Sequence, residues 1–285
     1  MDTSPYNSTI VERIDLNDTN FIIRVRSDAA PVPAFTAGQF VMLGLPHEGP
    51  DPSEEKAAAA AAANPAAAAA IAAARARKGP RMVKRAYSIA SPPRIRDYLE
   101  FFIVRVDEGR LTPRLWKMKP GDPIWMELTA KGEFTLDEIP TNVDLVTVST
   151  GTGIAPFVAM LYEHLERPRW NRYVLFNGCR LASDLGYRDE LEALARREPR
   201  FVYLPSVTRE PADSPWTGLR GRIPAQLEAD RFRELAGFEL NPASAHVLLC
   251  GNPDMINDVQ KSLEARGFVT ATKSTPGNVH YERYW

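Results

Sequence analysis

The sequence has little cysteine. Cys179 and Cys250 are the only two cysteines among its 285 residues. Two thiols are too few for a disulfide framework, a four-cysteine iron–sulfur cluster or a structural zinc site. Any redox centre must therefore be an organic cofactor or a separate protein. The four histidines, at positions 47, 164, 246 and 280, lack a metal-binding spacing such as i, i+4, so we predict no metal site.

The sequence also lacks an excess of charge of either sign and a long apolar run. Lys and Arg number 35 against 36 Asp and Glu, for a net charge of -1 and a pI near 6.5. No global basic field therefore favours nucleic acid. The N-terminus has no basic start followed by an apolar core, and no window of about 18 uncharged apolar residues could span a bilayer. We expect a protein of the reducing cytoplasm, with neither a nucleic-acid nor a membrane partner.

The chain is long enough for two hydrophobic cores. Its 285 residues are 44% hydrophobic and 25% charged, which is ordinary globular composition, and a domain takes about 150 residues. In the first half, short strand-like runs alternate with Pro, Gly and Asp, which favours an antiparallel barrel or sandwich. These predicted strands are 19–26, 39–45, 85–89, 99–106 and 123–128. We place the domain boundary between residues 141 and 142.

The second half alternates strand and helix patterns. The predicted strands are 145–149, 173–178, 201–207 and 246–251, and the predicted helices lie near 155–166, 187–197, 224–229 and 253–266. This alternation predicts a parallel, doubly wound sheet, in which ligands bind at the carboxyl ends of the strands. Polar residues and glycines occupy those ends here.

An alanine-rich segment interrupts the first half at about 50–80. Alanine is the best helix former, and Asn64 with Pro65 can begin a second helix, yet no apolar stripe exists for packing onto a core. We therefore predict an exposed insertion, frayed or disordered with some helix content. A basic run at its end could steer an acidic partner toward the site. The run consists of Arg75, Arg77, Lys78, Arg81, Lys84 and Arg85.

A strand, a glycine turn and a helix start follow one another in residues 143–166. Gly151 and Gly153 let the backbone come close to a ligand, and the unpaired N–H groups at the start of the helix favour an anion such as a pyrophosphate. The alternative is a plain connection whose glycines serve only the turn.

The second motif is Arg85-Ala86-Tyr87-Ser88. An arginine can bind a pyrophosphate by a forked contact, a tyrosine two residues later on the same side of a strand can lie against a flat ring, and the serine hydroxyl can reach a ring nitrogen. The alternative is a basic edge strand with an ordinary core tyrosine.

Three segments in this order resemble the ferredoxin–NADP reductase family: 85–91 (RAYSIAS), 151–157 (GTGIAPF) and 250–255 (CGNPDM). The resemblance covers nearly the whole chain apart from the alanine-rich insertion, and its ending, YERYW, is similar to the bacterial flavodoxin/ferredoxin–NADP reductases. It implies an N-terminal antiparallel β-barrel that binds FAD and a C-terminal α/β doubly wound parallel sheet that binds NADP(H). It also implies electron transfer between NADPH and ferredoxin or flavodoxin, most simply by a monomer.

The resemblance also implies a set of FAD contacts. The motif at 85–88 would hold the pyrophosphate, the flavin ring and its N5 edge, strand residues would add backbone contacts, and a later pair would cover the pyrophosphate. A threonine in the glycine turn would lie between the two cofactors, and the terminal aromatic residues would pack on FAD rather than on the protein surface. The implied residues are Arg85, Ala86, Tyr87, Ser88, Phe102, Ile103, Val104, Leu111, Thr112, Thr152, Tyr284 and Trp285.

The nicotinamide cofactor can be predicted from charge. A ribose 2'-phosphate needs cations, whereas an NAD-selective site usually offers a carboxylate. Arg180, Arg209 and Arg222 match basic positions of the family and favour NADPH, although Glu210 and Asp213 lie close by, and all three arginines could instead be solvated surface residues. The full set implied for NADP(H) is Gly151, Gly153, Cys179, Arg180, Thr208, Arg209, Arg222, Cys250, Gly251, Asn252 and Asp254.

By the same resemblance, Cys250 and Ser88 would align the nicotinamide with flavin N5. Glu282 is a candidate proton shuttle. No general base is needed for the hydride step, because the flavin supplies the electronics and the protein supplies proximity. Three rival functions stay open: the reductase component of an oxygenase system, a flavin electron-relay subunit without nicotinamide turnover, and a binding module without cofactor.

Overall fold

The strands of the chain form two six-stranded sheets, one in each half of the sequence. A computed structural model describes residues 4–29, 31–32, 34–47 and 81–283. The predicted alanine-rich insertion lies outside these residues.

The first sheet is antiparallel and closes into a barrel. Its strands are β1 (Ser8–Asp15), β2 (Asn20–Ser27), β3 (Phe40–Pro46), β4 (Met82–Ser88), β5 (Leu99–Val104) and β6 (Pro123–Met126), in the order β4-β3-β6-β1-β2-β5. Just after β4, the chain bonds to β5, the strand at the other end of this order: Ala90 N donates to Glu100 O at 2.8 Å. This contact closes the barrel. Every strand contributes buried side chains to one core, including Ile10, Phe21 and Leu43. Of the two architectures that the sequence left open, the barrel is confirmed.

The second sheet is parallel throughout. Its strands are β7 (Val143–Thr150), β8 (Trp170–Cys179), β9 (Phe201–Val207), β10 (Leu219–Arg220), β11 (Ala245–Gly251) and β12 (Val279–Arg283), in the order β10-β9-β8-β7-β11-β12. From β7 the chain adds strands outward on one side and then on the other. Because all six strands are parallel, their carboxyl ends share one edge of the sheet. The predicted doubly wound sheet is confirmed.

Helices cover both faces of this sheet. They are α2 (Ala155–Glu163), α3 (Arg188–Arg197), α4 (Ile223–Gln226), α5 (Ala229–Ala236) and α6 (Pro253–Glu264); the barrel carries the short helix α1 (Thr112–Leu115). Phe157 of α2 and Leu191 of α3 bury on one face, whereas Phe232 of α5 and Ile256 of α6 bury on the other. Each helix turns an apolar side to the sheet, as the periodicity of the sequence requires.

The predicted single helix at 224–229 is wrong, because α4 ends at Gln226 and α5 begins at Ala229. The Arg266 guanidinium reaches across from beyond α6 and donates to the Leu227 carbonyl oxygen at 2.7 Å. This contact satisfies an acceptor exposed by the break. The strand predicted at 99–106 stops at Val104, and two residues later the Val106 backbone bonds to the Thr112 hydroxyl, which accepts from Val106 N at 2.9 Å and donates to Val106 O at 3.1 Å.

The two sheets pack against each other through a shared apolar cluster. Ile22 and Phe102 of the barrel lie in the same cluster as Phe157 and Tyr187 of the second half. The barrel strands end at Met126 and the parallel strands begin at Val143, so the predicted boundary between residues 141 and 142 falls in their connection and stays a prediction. Within the described part of the chain, no helix is both long and apolar enough to cross a membrane.

Candidate active site

The carboxyl ends of β7 and β11 touch each other, and glycine makes this possible. A Cβ on Gly153 would collide with the carbonyl group of Cys250, and a Cβ on Gly251 would collide with the Thr150 hydroxyl. Gly251 also has a φ of +131°, which disfavours other residues. Asn252 N donates to Thr150 Oγ1 at 2.8 Å. The two predicted cofactor-binding turns are therefore one continuous surface.

Gly151 differs from these glycines because it faces open space. Its φ is +53°, and an added Cβ would meet nothing within 4 Å. Gly151 begins a 3-10 turn, Gly151–Ile154, that leads directly into α2, and Thr152 is half-buried in that turn. An open backbone approach in front of a helix start is the arrangement that an anionic cofactor requires.

Asn252 and Asp254 organise the start of α6 beside the same surface. The Asn252 side chain accepts from Asp254 N at 2.7 Å and from Met255 N at 3.3 Å. Asn252 is thus an N-cap, which satisfies two N–H groups of the first turn. Asp254 is exposed in that turn.

The three predicted catalytic residues come from both sheets and meet. Cys250 on β11 lies opposite Glu282 on β12, with Cys250 Sγ 4.0 Å from Glu282 Oε2. The Ser88 hydroxyl, at the end of barrel strand β4, donates to the Glu282 carboxylate. Burial raises the pKa of Glu282 to about 7, and the hydrogen bond from Ser88 partly opposes that rise. The carboxyl group can therefore exchange a proton near neutral pH.

The rest of the 85–88 motif lies on the barrel surface next to Ser88. Arg85 and Ala86 are exposed, and Tyr87 is half-buried. The Arg85 guanidinium donates to the carbonyl oxygen of its neighbour Lys84 at 2.8 Å. The Tyr87 ring meets Phe101 edge to face, with centroids 6.4 Å apart, and burial raises the pKa of its hydroxyl. An accessible guanidinium beside an anchored aromatic ring suits a phosphate attached to a flat ring system.

The other predicted FAD residues of the barrel have their side chains engaged elsewhere. Phe102 packs edge to face on Tyr187 with centroids 5.8 Å apart, while Ile103 and Leu111 are buried in the barrel core. The Thr112 hydroxyl is bonded to the Val106 backbone. Any cofactor contact from these four residues must come mainly from the main chain. Val104 is half-buried at the end of β5, and Tyr284 and Trp285 lie outside the described residues.

The three predicted arginines line the same edge of the parallel sheet. Arg209 N donates to Arg180 O at 2.8 Å, so the chain segments after β9 and β8 continue side by side. Arg222 follows β10, which pairs with β9. All three side chains are exposed. Within the described ranges none of their guanidinium groups forms an ion pair, which leaves this edge able to bind a dianion.

Cys179 and Thr208 directly precede Arg180 and Arg209 in the chain. Thr208 Oγ1 donates to Cys179 O at 3.3 Å, and Cys179 packs with Leu185, Val207 and Trp216. Burial raises the pKa of the Cys179 thiol to about 12, so this cysteine is an unreactive packing residue.

Among the described residues, the Glu210 carboxylate forms no ion pair with these arginines. Its carboxylate accepts from Ala182 N at 2.7 Å, which joins the segment after β9 to the segment after β8. The Arg220 guanidinium donates to the carbonyl oxygens of Glu210 at 2.8 Å and Pro211 at 3.1 Å. From the sequence, Glu210 is a rival charge and Arg220 carries no signal, because both contacts depend on how the two segments fold together.

Two histidines that looked unrelated in sequence are neighbours. His246 Nδ1 lies 3.3 Å from His280 Nε2 across β11 and β12, with the rings nearly parallel at 19°. Burial lowers the pKa of both imidazoles. Among the described residues, no group of three or more His, Cys, Asp or Glu side chains could hold a metal ion.

Comparisons with known proteins agree with this geometry. The family model for an oxidoreductase NAD-binding domain matches residues 147–261. The chain is 35% identical over 258 residues to the flavodoxin/ferredoxin–NADP reductase of Escherichia coli (strain K12), covering 90% of each protein. It is 28% identical to the ferredoxin–NADP reductase of Pseudomonas aeruginosa, covering 98% of this chain and 96% of that protein. The crystal structure of a ferredoxin NADP+ reductase from Neisseria gonorrhoeae with bound FAD and NADP superposes with a TM-score of 0.78 at 26% identity, covering 98% of this chain and 99% of that one.

Proposed function

This chain belongs to the flavodoxin/ferredoxin–NADP reductase family, and we propose how its own residues carry out the reaction of that family. It is an oxidoreductase that uses FAD and NADP(H) and transfers electrons between NADPH and a one-electron carrier. The observation that carries the residue assignment is the meeting of Ser88, from the barrel, with Cys250 and Glu282, from the parallel sheet. A site built from both halves suits a reaction between two cofactors.

On the nicotinamide side, the exposed arginines select the cofactor. Arg180, Arg209 and Arg222 would bind the 2'-phosphate of NADP(H), since their guanidinium groups are free of carboxylates within the described residues. Gly151 would let the pyrophosphate approach the backbone in front of α2. The remaining predicted contacts, Gly153, Cys179, Thr208, Gly251, Asn252 and Asp254, shape this surface.

On the flavin side, the 85–88 motif offers the donors that FAD needs. Arg85 would bind the pyrophosphate and Tyr87 would support the ring system, while Thr152 would lie between the two cofactors. Main-chain groups of Phe102, Ile103, Val104, Leu111 and Thr112 would complete the site together with Ala86, Tyr284 and Trp285. FAD, when bound, accepts a hydride at N5 and releases electrons singly.

Ser88, Cys250 and Glu282 would control the hydride step. The Ser88 hydroxyl and the Cys250–Gly251 backbone would hold the two reacting rings at the short separation that the reaction requires. Glu282 would hold a proton near neutral pH and exchange it with solvent, because it is only half-buried. The protein contributes positioning and proton supply.

The partner of this enzyme is a ferredoxin or a flavodoxin, as in the family names. We propose that the protein acts as a cytoplasmic monomer without a nucleic-acid partner, with residues 1–141 and 142–285 as its two domains. Both cysteines are buried, and neither forms a disulfide among the described residues, which suits a reducing compartment. Two rivals, an oxygenase reductase component and a relay subunit without nicotinamide turnover, share the fold and are separated by activity.

The experiment is anaerobic stopped-flow absorbance of the purified protein mixed with NADPH or with NADH, followed at the flavin band near about 450 nm. We expect rapid bleaching by NADPH, slower bleaching by NADH, and recovery of the band when oxidised flavodoxin or ferredoxin is added. A stable flavin spectrum that neither nucleotide bleaches would support the relay subunit. Bleaching without recovery by either carrier would point to the oxygenase component.

A further inference from the structure

Tyr187 has an unusual backbone conformation at the junction of the two sheets. Its φ is 61° and its ψ is 12°, in the left-handed region that non-glycine residues seldom adopt. Such strain persists only where surrounding contacts hold it. Tyr187 precedes α3 of the parallel sheet, yet its hydroxyl and its ring both contact the barrel.

The Tyr187 hydroxyl is bonded to a buried carboxylate of the barrel. Tyr187 OH donates to Glu100 Oε1 at 3.0 Å, and Arg24 Nε donates to Glu100 Oε2 at 2.7 Å. Glu100 is 8% exposed, so losing a partner there would leave a buried acceptor unsatisfied. Burial raises the pKa of Tyr187 well above its usual value, which keeps the hydroxyl a donor.

Glu100 also belongs to the strand that supports the flavin motif. Ala90 N donates to Glu100 O at 2.8 Å, and Glu100 N donates to Ser91 Oγ at 3.1 Å. Ala90 and Ser91 end the 85–91 segment that contains Ser88. The Tyr187 hydroxyl is therefore joined, through one residue, to the part of the barrel that forms the active site.

The Tyr187 ring and the residue before it fit closely against the barrel. The ring meets Phe102 edge to face at 5.8 Å. A Cβ on Gly186 would lie 2.6 Å from Phe102 Cε1, so only glycine fits at that position without a shift. The left-handed turn at Tyr187 is thus the conformation that places its ring in the junction.

The segment 180–187 has a second attachment to the barrel. Asp184 Oδ1 accepts from Asn17 Nδ2 and from Asn20 Nδ2, each at 3.0 Å. Asp184 Oδ2 accepts from Leu181 N at 3.1 Å. The segment begins at Arg180, a proposed 2'-phosphate ligand. It therefore joins the nicotinamide site at one end to the flavin barrel at the other.

We propose that Tyr187 is a positioning residue for hydride transfer. Through Glu100 it fixes the parallel sheet against the barrel, so that Ser88 comes into register with Cys250 and Glu282. The proposal rests on the proposed function for its catalytic consequence, while the mechanical attachment stands independently of it. A small change in the angle between the sheets would displace the two cofactors, and displacements of about 1 Å can cost roughly a hundredfold in rate.

Tyr187→Phe tests the attachment directly, because it removes one hydroxyl and keeps the ring. Tyr203→Phe is the matched control: Tyr203 is also 8% exposed, and its hydroxyl accepts from Asn177 within the parallel sheet at 3.4 Å. Hydrogen exchange is measured on the flavin-loaded protein without nicotinamide. We expect exchange in 180–187 and 17–20 to accelerate about fivefold or more in Tyr187→Phe and to stay unchanged in Tyr203→Phe.

The second measurement separates positioning from binding. With saturating NADPH, we expect flavin reduction to slow about tenfold in Tyr187→Phe, while the NADP+ dissociation constant changes less than about twofold. Circular dichroism and flavin content confirm that each variant is folded.

Exchange and reduction rates in Tyr187→Phe equal to those in Tyr203→Phe would overturn the proposal. A weaker NADP+ affinity with an unchanged reduction rate would also overturn it, because Tyr187 would then serve binding alone. If NADPH does not reduce even the wild-type flavin, the proposed function fails. The exchange comparison then still decides whether Tyr187 attaches the sheets.

Discussion

Cys250 and Glu282 lie opposite each other on neighbouring parallel strands, with the thiol sulfur 4.0 Å from a carboxylate oxygen. Burial of the Glu282 carboxyl group raises its pKa from the usual 4.5 to about 7. Because the pKa is raised in the folded state, the folded protein binds this proton more tightly than the unfolded chain does. The resulting stabilisation is complete below about pH 4.5 and is lost as the pH rises to about 7.

Glu282→Gln should therefore be less sensitive to pH than the wild type. Relative to this variant, the wild type should lose on the order of 1–3 kcal/mol of unfolding free energy between pH 4.5 and pH 7.5. Urea unfolding at several pH values measures the difference. Glu138→Gln, at an exposed position, is the control, and its unfolding free energy should change with pH as that of the wild type does. A Glu282→Gln curve parallel to the wild type would place the pKa of Glu282 near its ordinary value.

The exposed arginine edge predicts a selective loss of NADPH binding. Arg209→Gln should raise the KM for NADPH about tenfold or more and leave kcat nearly unchanged, because the 2'-phosphate contact is the same in the ground and transition states. The KM for NADH, which lacks that phosphate, should change little. Arg196→Gln, an exposed arginine of α3, should affect neither KM. Equal losses with both nucleotides would show that Arg209 acts on the fold of the site.

The two glycines of the β7 turn predict opposite kinds of damage. Gly153→Ala drives a methyl group into the Cys250 carbonyl and should cost more than about 2 kcal/mol of unfolding free energy. Gly151→Ala places its methyl in open space at a φ of +53° and should cost only about 1 kcal/mol. Gly151→Ala should nevertheless weaken NADP+ binding, since the methyl group occupies the side open to the cofactor. Urea unfolding and NADP+ titration check the pair, and a reversed order of stability would contradict the packing described.

Local sequence patterns predicted the secondary-structure elements and their order. The strand, glycine turn and helix at 143–166 form as expected, and the doubly wound order follows from the alternation of elements. Contacts between distant segments could not be predicted in this way. Tyr187 and Glu100 are 87 positions apart, and neither has a distinctive local pattern. At the break after α4, the Leu227 carbonyl is bound by Arg266, which lies 39 positions further along the chain.

Side-chain direction was the other limit of the sequence. Phe102 is predicted to contact FAD through its backbone, and no sequence pattern indicates the direction of its ring, which the structure turns toward Gly186 and Tyr187. Strand periodicity gives two faces, and in a barrel that packs on a second sheet both faces can be buried. Only the packing of the two sheets decides which buried face serves a cofactor and which serves the junction.

Arg13 connects β1 to the end of α1, the helix that follows Leu111. Its Nη1 atom donates to the carbonyl oxygens of Leu115 at 3.2 Å, Trp116 at 2.7 Å and Met118 at 2.9 Å. Its guanidinium carbon lies 4.7 Å from the centre of the Trp116 ring, and the side chain is only 9% exposed. A cation at a helix C-terminus is favourable by charge, and the planar guanidinium here also satisfies three acceptors.

Arg13→Lys should lower the unfolding free energy by about 2–3 kcal/mol, because the ammonium group keeps the charge but loses the flat face and the reach to several carbonyls. Because α1 carries Thr112 at its start, the looser helix should also release FAD faster on dilution. Urea unfolding and flavin fluorescence measure the two effects. Arg26→Lys, at an exposed position of β2, is the control and should change neither the unfolding free energy nor the rate of FAD release by much. An Arg13→Lys variant with wild-type stability but faster FAD loss would mean that Arg13 acts on the cofactor site without supporting the barrel, and unchanged values for both would show that its contacts contribute no net energy.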